Sequence, residues 1–169
     1  MSEKLVRMLS TFFYVGESPF APGSMASVVG ALIAIILSPW PLLYIAVFAI
    51  ITFYGFKVSG RMEEICGEKD PSKVVIDEVS GVMIAFFCLP LQWPVIITAF
   101  FLFRAFDMFK LYPVNRFENP DFVAGLMNKM SLRNVEQHKH TAGIMMDDII
   151  AGVYTFVVMQ FAIRFAGII

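Results

Sequence analysis

The chain has 169 residues, 58% of them hydrophobic and 16% charged, with a formal net charge of -1 at pH 7 and a mean hydropathy of +0.72. Soluble domains are usually about 45–50% apolar and about 25% charged, so a water-soluble globule of this size cannot cover so much apolar surface. Abundant Phe and Met exclude a disordered chain, the length fits one domain over 1–169, and no nucleic-acid partner is expected.

The N-terminus, MSEKLVRMLSTFFYVGES, carries basic residues but meets Glu17 after a short apolar stretch and lacks a small-residue cleavage site, so no signal peptide is expected. Between Glu17 and Lys57 lie 39 uncharged positions. As helix they reach roughly 58 Å, enough for two crossings of a ~30 Å hydrocarbon core. Ser38-Pro39-Trp40-Pro41 divides them, because proline ends a helix and tryptophan suits the headgroup level. Helices are predicted near 24–37 and 41–57. The charged, turn-rich segment that follows reads as a solvent-side loop over 58–76. Cys66 and Cys88 have no further cysteine partners, so neither a disulfide framework nor a zinc site is indicated, and both read as plain thiols in a reducing compartment.

From Val79 to Phe103 the chain is again uncharged, and Leu89-Pro90-Leu91-Gln92-Trp93-Pro94 forms a second Pro/Trp cluster. It predicts a hairpin with helices near 74–89 and 93–109. The alternative is one long spanning helix, which would split the basic residues across the bilayer. A polar connection over 111–142 is too long to be structureless throughout, so part of it is expected to be helical or to act as a lid. The last apolar helix is predicted near 144–166, with Gly143 at its start. With the hairpin, the N-terminus and both polar connections share one side, together with every Lys and Arg except Arg164. The positive-inside rule makes that side cytoplasmic. The expected fold is an all-α polytopic membrane bundle of about five hydrophobic helices, with its active site at the cytoplasmic face.

Ionisable residues at the edge of membrane helices are costly and are candidates for function. Asp77-Glu78, the run Arg104, Asp107, Lys110, and the pair Asp147-Asp148 reach one level in this topology, as does Ala21-Pro22-Gly23-Ser24. Capping near helix N-termini would explain the paired acids, and a structural salt bridge to Arg104 would explain Asp107. Asp107, however, falls near the C-terminal end of its helix, where a negative charge needs a cation beside it. VIDEVSGV and MMDDIIAGV echo each other, each acidic pair being followed by small residues (Gly81; Ala151 and Gly152) that permit close helix packing. The result is a carboxylate-lined cleft. Carboxylates beside phosphate oxygens suit Mg²⁺, with Arg104 and Lys110 holding the remaining phosphate oxygens. Ser24 is expected to cap the first membrane helix, leaving the amides of Met25, Ala26 and Ser27 as a second anion site. The implied substrate is a phosphate on something membrane-bound. No cysteine is followed six positions later by arginine and no P-loop is present, while His138 and His140 read as solvated loop residues.

APGSMAS (21–27), VIDEVSG (75–81), FLFRAFDMFKLYP (101–113) and GIMMDDIIAG (143–152) resemble, in order, the four motifs of bacterial phosphatidylglycerophosphatase A. The usual first motif is APGTxGS, so Ser24 keeps the hydroxyl while Ala26 replaces a glycine; the usual KPxP is here Lys110-Leu111-Tyr112-Pro113. The resemblance implies Mg²⁺-dependent removal of the terminal phosphate of phosphatidylglycerophosphate at the inner face of the bacterial cytoplasmic membrane. Its partners would be that substrate and membrane lipid, with oligomeric state left open. Asp77, Glu78, Asp107, Asp147 and Asp148 are then the catalytic candidates. Glu78, Asp107, Asp147 and Asp148 would be metal ligands and Asp77 a base or supporting partner, with Ser24, Arg104 and Lys110 on the phosphate. Water activated by the metal is the expected nucleophile, with an aspartate nucleophile as the alternative. The rival readings are a lipid-headgroup phosphotransferase and a small non-enzymatic transport protein. Acids gathered at one membrane face, rather than at mid-depth, argue against the transport path.

Overall fold

A computed structural model describes residues 1–68, 71–109 and 135–165, with side chains of the last segment described from Met145 onward. The described residues are all-helical, with no strand among them. A short amphipathic helix α1 (Glu3–Ser10) and a 3₁₀ turn (Val15–Glu17) precede α2 (Pro22–Leu37), α3 (Pro41–Cys66), α4 (Ile76–Ala85), α5 (Trp93–Phe109) and α6 (Val135–Phe165).

The proline-marked breaks fall where the sequence places them. Pro22 and Pro41 stand in the first turns of α2 and α3, where the missing N–H costs nothing. α4 and α5 are separate helices, so the hairpin reading holds over the long-helix alternative, and Cys88 adopts φ 54° in the link between them. α4 ends at Ala85, short of the expected 89, and three further features differ from expectation. α3 continues through the charged stretch expected as loop and stops only at Cys66, where Gly67 (φ 68°) supplies the left-handed C-cap. The continuation is stabilised by Val58, Ser59 and Met62, which are buried while their charged neighbours face outward. α6 begins at Val135 rather than at Gly143, which puts part of the polar connection in a helix. α1 was not foreseen. It lays Val6 against Val58 and Met62 of α3.

α4 is the hub, packed against α2, α3, α5 and α6. It is apolar nearly all round because it is buried nearly all round, with Val79, Val82 and Met83 fully enclosed. Small residues allow the closest approaches: a Cβ on Gly152 would strike the Gly81 carbonyl, and one on Gly81 would lie 2.5 Å from the Asp148 carbonyl. The two echoing segments therefore do face each other. The Tyr44 hydroxyl donates to the Met83 carbonyl and ties α3 to the hub.

Large apolar side chains cover the outside, among them Leu42, Phe101, Phe161 and Phe165, each more than half exposed. Two helical stretches, Pro41–Cys66 and Met145–Phe165, are long and apolar enough to cross a membrane by length and composition. α2 is apolar but shorter, and the 10 residues of α4 rise only about 15 Å, half a hydrocarbon core. Among the described residues five apolar helices are present, but five full-length spans are not.

Candidate active site

Four elements meet at one end of the bundle: the first turns of α2 and α4, the last turns of α5, and α6 about a third of the way along. Between them lies a cavity of about 400 Å³, whose lining brings together Asp77, Glu78, Asp107, Asp147, Asp148 and Arg104 with the Ala21–Ser24 strip. Seven of the eight site residues expected from sequence fall among the described residues, and all seven share one cavity: the five acids, Arg104 and Ser24. The eighth, Lys110, lies outside the described residues. His138 and His140 lie in α6, at positions whose side chains are outside them.

Each acid is set by its helix. Asp77 and Glu78 occupy the first turn of α4, where the macrodipole favours negative charge. Asp77 is 5% exposed, its Oδ1 accepting the Glu78 N–H at 2.9 Å. Capping cannot explain Asp147 and Asp148, because α6 starts twelve residues before Asp147 rather than just ahead of it. These two acids sit inside a helix next to an apolar core, and Asp148 is 5% exposed. Its electrostatic neighbours are Asp77, Asp107 and Glu78, with Asp107 in hydrogen-bonding reach. Such crowding of like charge calls for a cation.

Arg104 supplies part of it. Its Nη1 donates to Asp107 Oδ2 at 2.7 Å and also reaches Glu78 Oε1 at 3.3 Å and Ser27 Oγ at 3.4 Å. One guanidinium nitrogen therefore joins α5, α4 and α2, and the fork has further N–H groups to offer a phosphate. The position of Asp107 in the last turn of α5, against the dipole, is offset by this contact.

The first turn of α2 differs from expectation. Ala21, with φ 41°, is the N-cap, and Met25 N–H already bonds the Ala21 carbonyl at 3.1 Å. Ser24 is thus not the cap but a first-turn residue. The amides without an acceptor in the helix are those of Gly23 and Ser24, not those of Met25, Ala26 and Ser27. Sequence reasoning gave Gly23 no role of its own within that strip and named Ser27 for its amide rather than its hydroxyl. A Cβ on Gly23 would collide with the Glu78 carboxylate, so only glycine lets that acid lie over the α2 terminus. Ser27 stands one turn below Ser24 on the same face, and that spacing was its legible signal.

Among the described residues no three carboxylates lie close enough together to form a ready-made metal cage. The donor set nonetheless suits a hard divalent ion. Five carboxylates and one described cation line the cavity, and Mg²⁺ is held by one or two carboxylates, with water and phosphate completing its shell.

The family model described as Phosphatidylglycerophosphatase A matches residues 8–128. The chain belongs to the phosphatidylglycerophosphatase A family. It is therefore placed among phosphomonoester hydrolases. The family match contains the Ala21–Ser24 strip, Asp77, Glu78, Arg104 and Asp107, and ends before Asp147 and Asp148. Curated relatives extend over nearly the whole chain. A Bacteroides thetaiotaomicron protein, provisionally named phosphatidylinositol-3-phosphatase, is 35% identical, covering 92% of this chain and 91% of its own. Proteins named phosphatidylglycerophosphatase A from Haemophilus influenzae and Escherichia coli are 30% and 29% identical. They cover 95% and 91% of this chain, and 89% and 81% of their own. No solved structure matches the chain.

Proposed function

We propose that the protein is a multi-pass membrane phosphatase that hydrolyses the terminal phosphomonoester of phosphatidylglycerophosphate to give phosphatidylglycerol, with Mg²⁺ as cofactor and its site at the cytoplasmic face. The observation that carries this reading is the single cavity in which five carboxylates, Arg104 and the first turn of α2 converge. The family places the reaction class, and the clustering of Lys and Arg toward one side supports the orientation.

Arg104 and the Gly23 and Ser24 amides would clamp the phosphate oxygens, and the Ser24 hydroxyl would add a further donor. Glu78, Asp107, Asp147 and Asp148 would hold the metal. Bound there, Mg²⁺ supplies positive charge to the phosphate and makes water a better nucleophile. In the hydrolysis, water oxygen bonds to phosphorus as the bond from phosphorus to the glycerol oxygen breaks. A carboxylate of the cluster, with Asp77 the candidate outside the proposed metal ligands, would relay the water proton to the departing glycerol oxygen. Arg104 meets the charge that develops on the equatorial oxygens.

A second reading has its own support, since the relative at 35% identity is named for an inositol lipid. Both substrates are phosphomonoesters on a lipid polyol. Turnover of phosphatidylglycerophosphate and phosphatidylinositol 3-phosphate, each in the same mixed micelles, separates them. The proposal expects kcat/KM at least ~10-fold higher for the former, about 1.4 kcal/mol in transition-state binding. The reverse preference would replace it with the inositol-lipid reading.

A further inference from the structure

A separate opening of about 550 Å³ lies on the other side of α4's first turn, between α2 and α3. Phe12, Phe13, Tyr54 and Ile76 line its upper end, and Ile33 and Ile51 line its walls. Every lining side chain is apolar apart from the Tyr54 hydroxyl. From Tyr54 to Val47, α3 descends seven residues, about 10 Å, so the opening is a slot running down the bundle rather than a surface dimple. Its volume is within the ~300–1,000 Å³ usual for ligand clefts.

Two features connect this slot to the carboxylate cavity. Ile76 and Asp77 are consecutive, so the upper end of the slot and the cavity wall are one turn of one helix. The segment carrying Phe12 and Phe13 is also fastened there: Val75 N–H, just ahead of α4, donates to the Ser10 carbonyl at 3.0 Å. The segment itself is strained. Phe12, Phe13 and Tyr14 adopt φ of 45°, 56° and 69°, three consecutive non-glycine residues in the left-handed region. The buried Thr11 holds them, its Oγ1 donating to the Arg7 carbonyl at 2.7 Å and accepting the Tyr14 N–H at 3.1 Å. Strain retained by its surroundings is a mark of functional segments, and here its effect is to set two phenylalanine rings over the head of the slot.

We infer that the slot between α2 and α3 seats an acyl chain of the phospholipid whose phosphate enters the carboxylate cavity. The assignment rests on the lipid-phosphatase reading. A headgroup phosphate at Asp77 and a hydrocarbon chain starting beside Ile76 fit one amphiphilic molecule, polar at one end of the turn and apolar from there down. Phe12 and Phe13 would fix the depth at which the chain begins, and so position the phosphomonoester at the acids.

Ile36→Trp and Ile50→Trp test it, because both side chains line the slot and are more than half exposed, so a larger ring has room to fill the slot without disturbing the core. Purified variants would be assayed on dioleoyl and dihexanoyl phosphatidylglycerophosphate in the same micelles. Displacing about two methylenes of chain contact should raise KM for the long-chain substrate roughly tenfold. kcat and the dihexanoyl kinetics should stay within about twofold, a split that misfolding would not produce. In parallel, a phosphatidylglycerophosphate carrying a diazirine midway along one acyl chain should label wild-type protein within 33–37 and 47–54. Excess unlabelled substrate should displace the label and phosphatidylcholine should not. Unchanged long-chain KM in an active variant, labelling confined to the outer faces of α5 and α6, or equal displacement by phosphatidylcholine overturns the assignment. Wild-type protein that releases no phosphate from either substrate removes the underlying reading, and the assignment with it.

Discussion

Replacing Asp107 by asparagine separates catalysis from packing. In the structure this carboxylate accepts from Arg104 Nη1 at 2.7 Å, and the two side chains are 21% and 20% exposed. If the pair were purely structural, neutralising one partner would weaken a charge-assisted hydrogen bond at a part-buried site, a loss of about 1.5–3 kcal/mol. Three features reduce that loss. Asparagine keeps an acceptor oxygen, Arg104 retains Glu78 at 3.3 Å, and a negative charge is removed from the last turn of α5, worth about 0.3–1 kcal/mol. Removing the charge also relieves its repulsion with Asp148. The net change in stability should then lie within about 1 kcal/mol of zero, or about 4 °C in melting temperature for a chain of this size. If Asp107 serves a metal and a phosphate, turnover should nevertheless fall by at least ~100-fold, about 2.7 kcal/mol of transition-state stabilisation. Melting temperature and initial rate of phosphate release, measured on one detergent preparation, decide between the accounts. Near-normal turnover, or a loss of activity that only follows unfolding, would reduce Asp107 to half of a salt bridge.

Gly23→Ala should lower activity by roughly 10–100-fold with the protein still folded, because the new Cβ displaces the Glu78 carboxylate, a side chain that can move; unaltered kinetics would mean that Glu78 need not lie over α2. Gly81→Ala acts on packing instead. Its Cβ would meet the Asp148 carbonyl at 2.5 Å and the Phe103 ring at 2.9 Å, so a destabilisation of about 1–3 kcal/mol should appear as a lower melting temperature, and an unchanged one would contradict the α4–α6 contact. Single cysteines at Ser72, Gln92 and Asn128, in a background lacking the exposed Cys66 and Cys88, should label from the cytoplasm at the first and third and from the opposite side at Gln92. Labelling of Ser72 and Asn128 from different sides would refute the shared cytoplasmic face.

The parts of the structure legible in the sequence were those written in proline, charge and order. Ser38–Pro41 and Leu89–Pro94 mark helix breaks because proline cannot continue a helix, and the acids of three separated segments do line one cavity with the Ala21–Ser24 strip. The ends of α3 and α6 were misplaced because charge was read as loop. A charged residue is equally at home on the outward face of a helix, and the true stop signal was Gly67. The mistaken start of α6 carried a mistaken explanation with it. Asp147 and Asp148 looked like first-turn acids and are instead interior ones, which makes their presence harder to explain without a ligand. The convergence of Arg104 on Ser27, Glu78 and Asp107, and the need for glycine at 23, depend on how α2, α4 and α5 cross. No local pattern encodes such crossings.

The central claim is that the carboxylate cavity hydrolyses a lipid phosphomonoester with a divalent ion. Phosphate release from phosphatidylglycerophosphate by purified protein, before and after exhaustive chelation, tests it most directly. Inorganic phosphate and phosphatidylglycerol should form in equal amounts with Mg²⁺, cease after chelation and return when Mg²⁺ is restored. Mn²⁺ should substitute, and Ca²⁺ should inhibit because its larger radius and looser geometry misplace the reacting oxygens. A full rate after chelation, or a folded protein that releases no phosphate with Mg²⁺ present, would contradict the account.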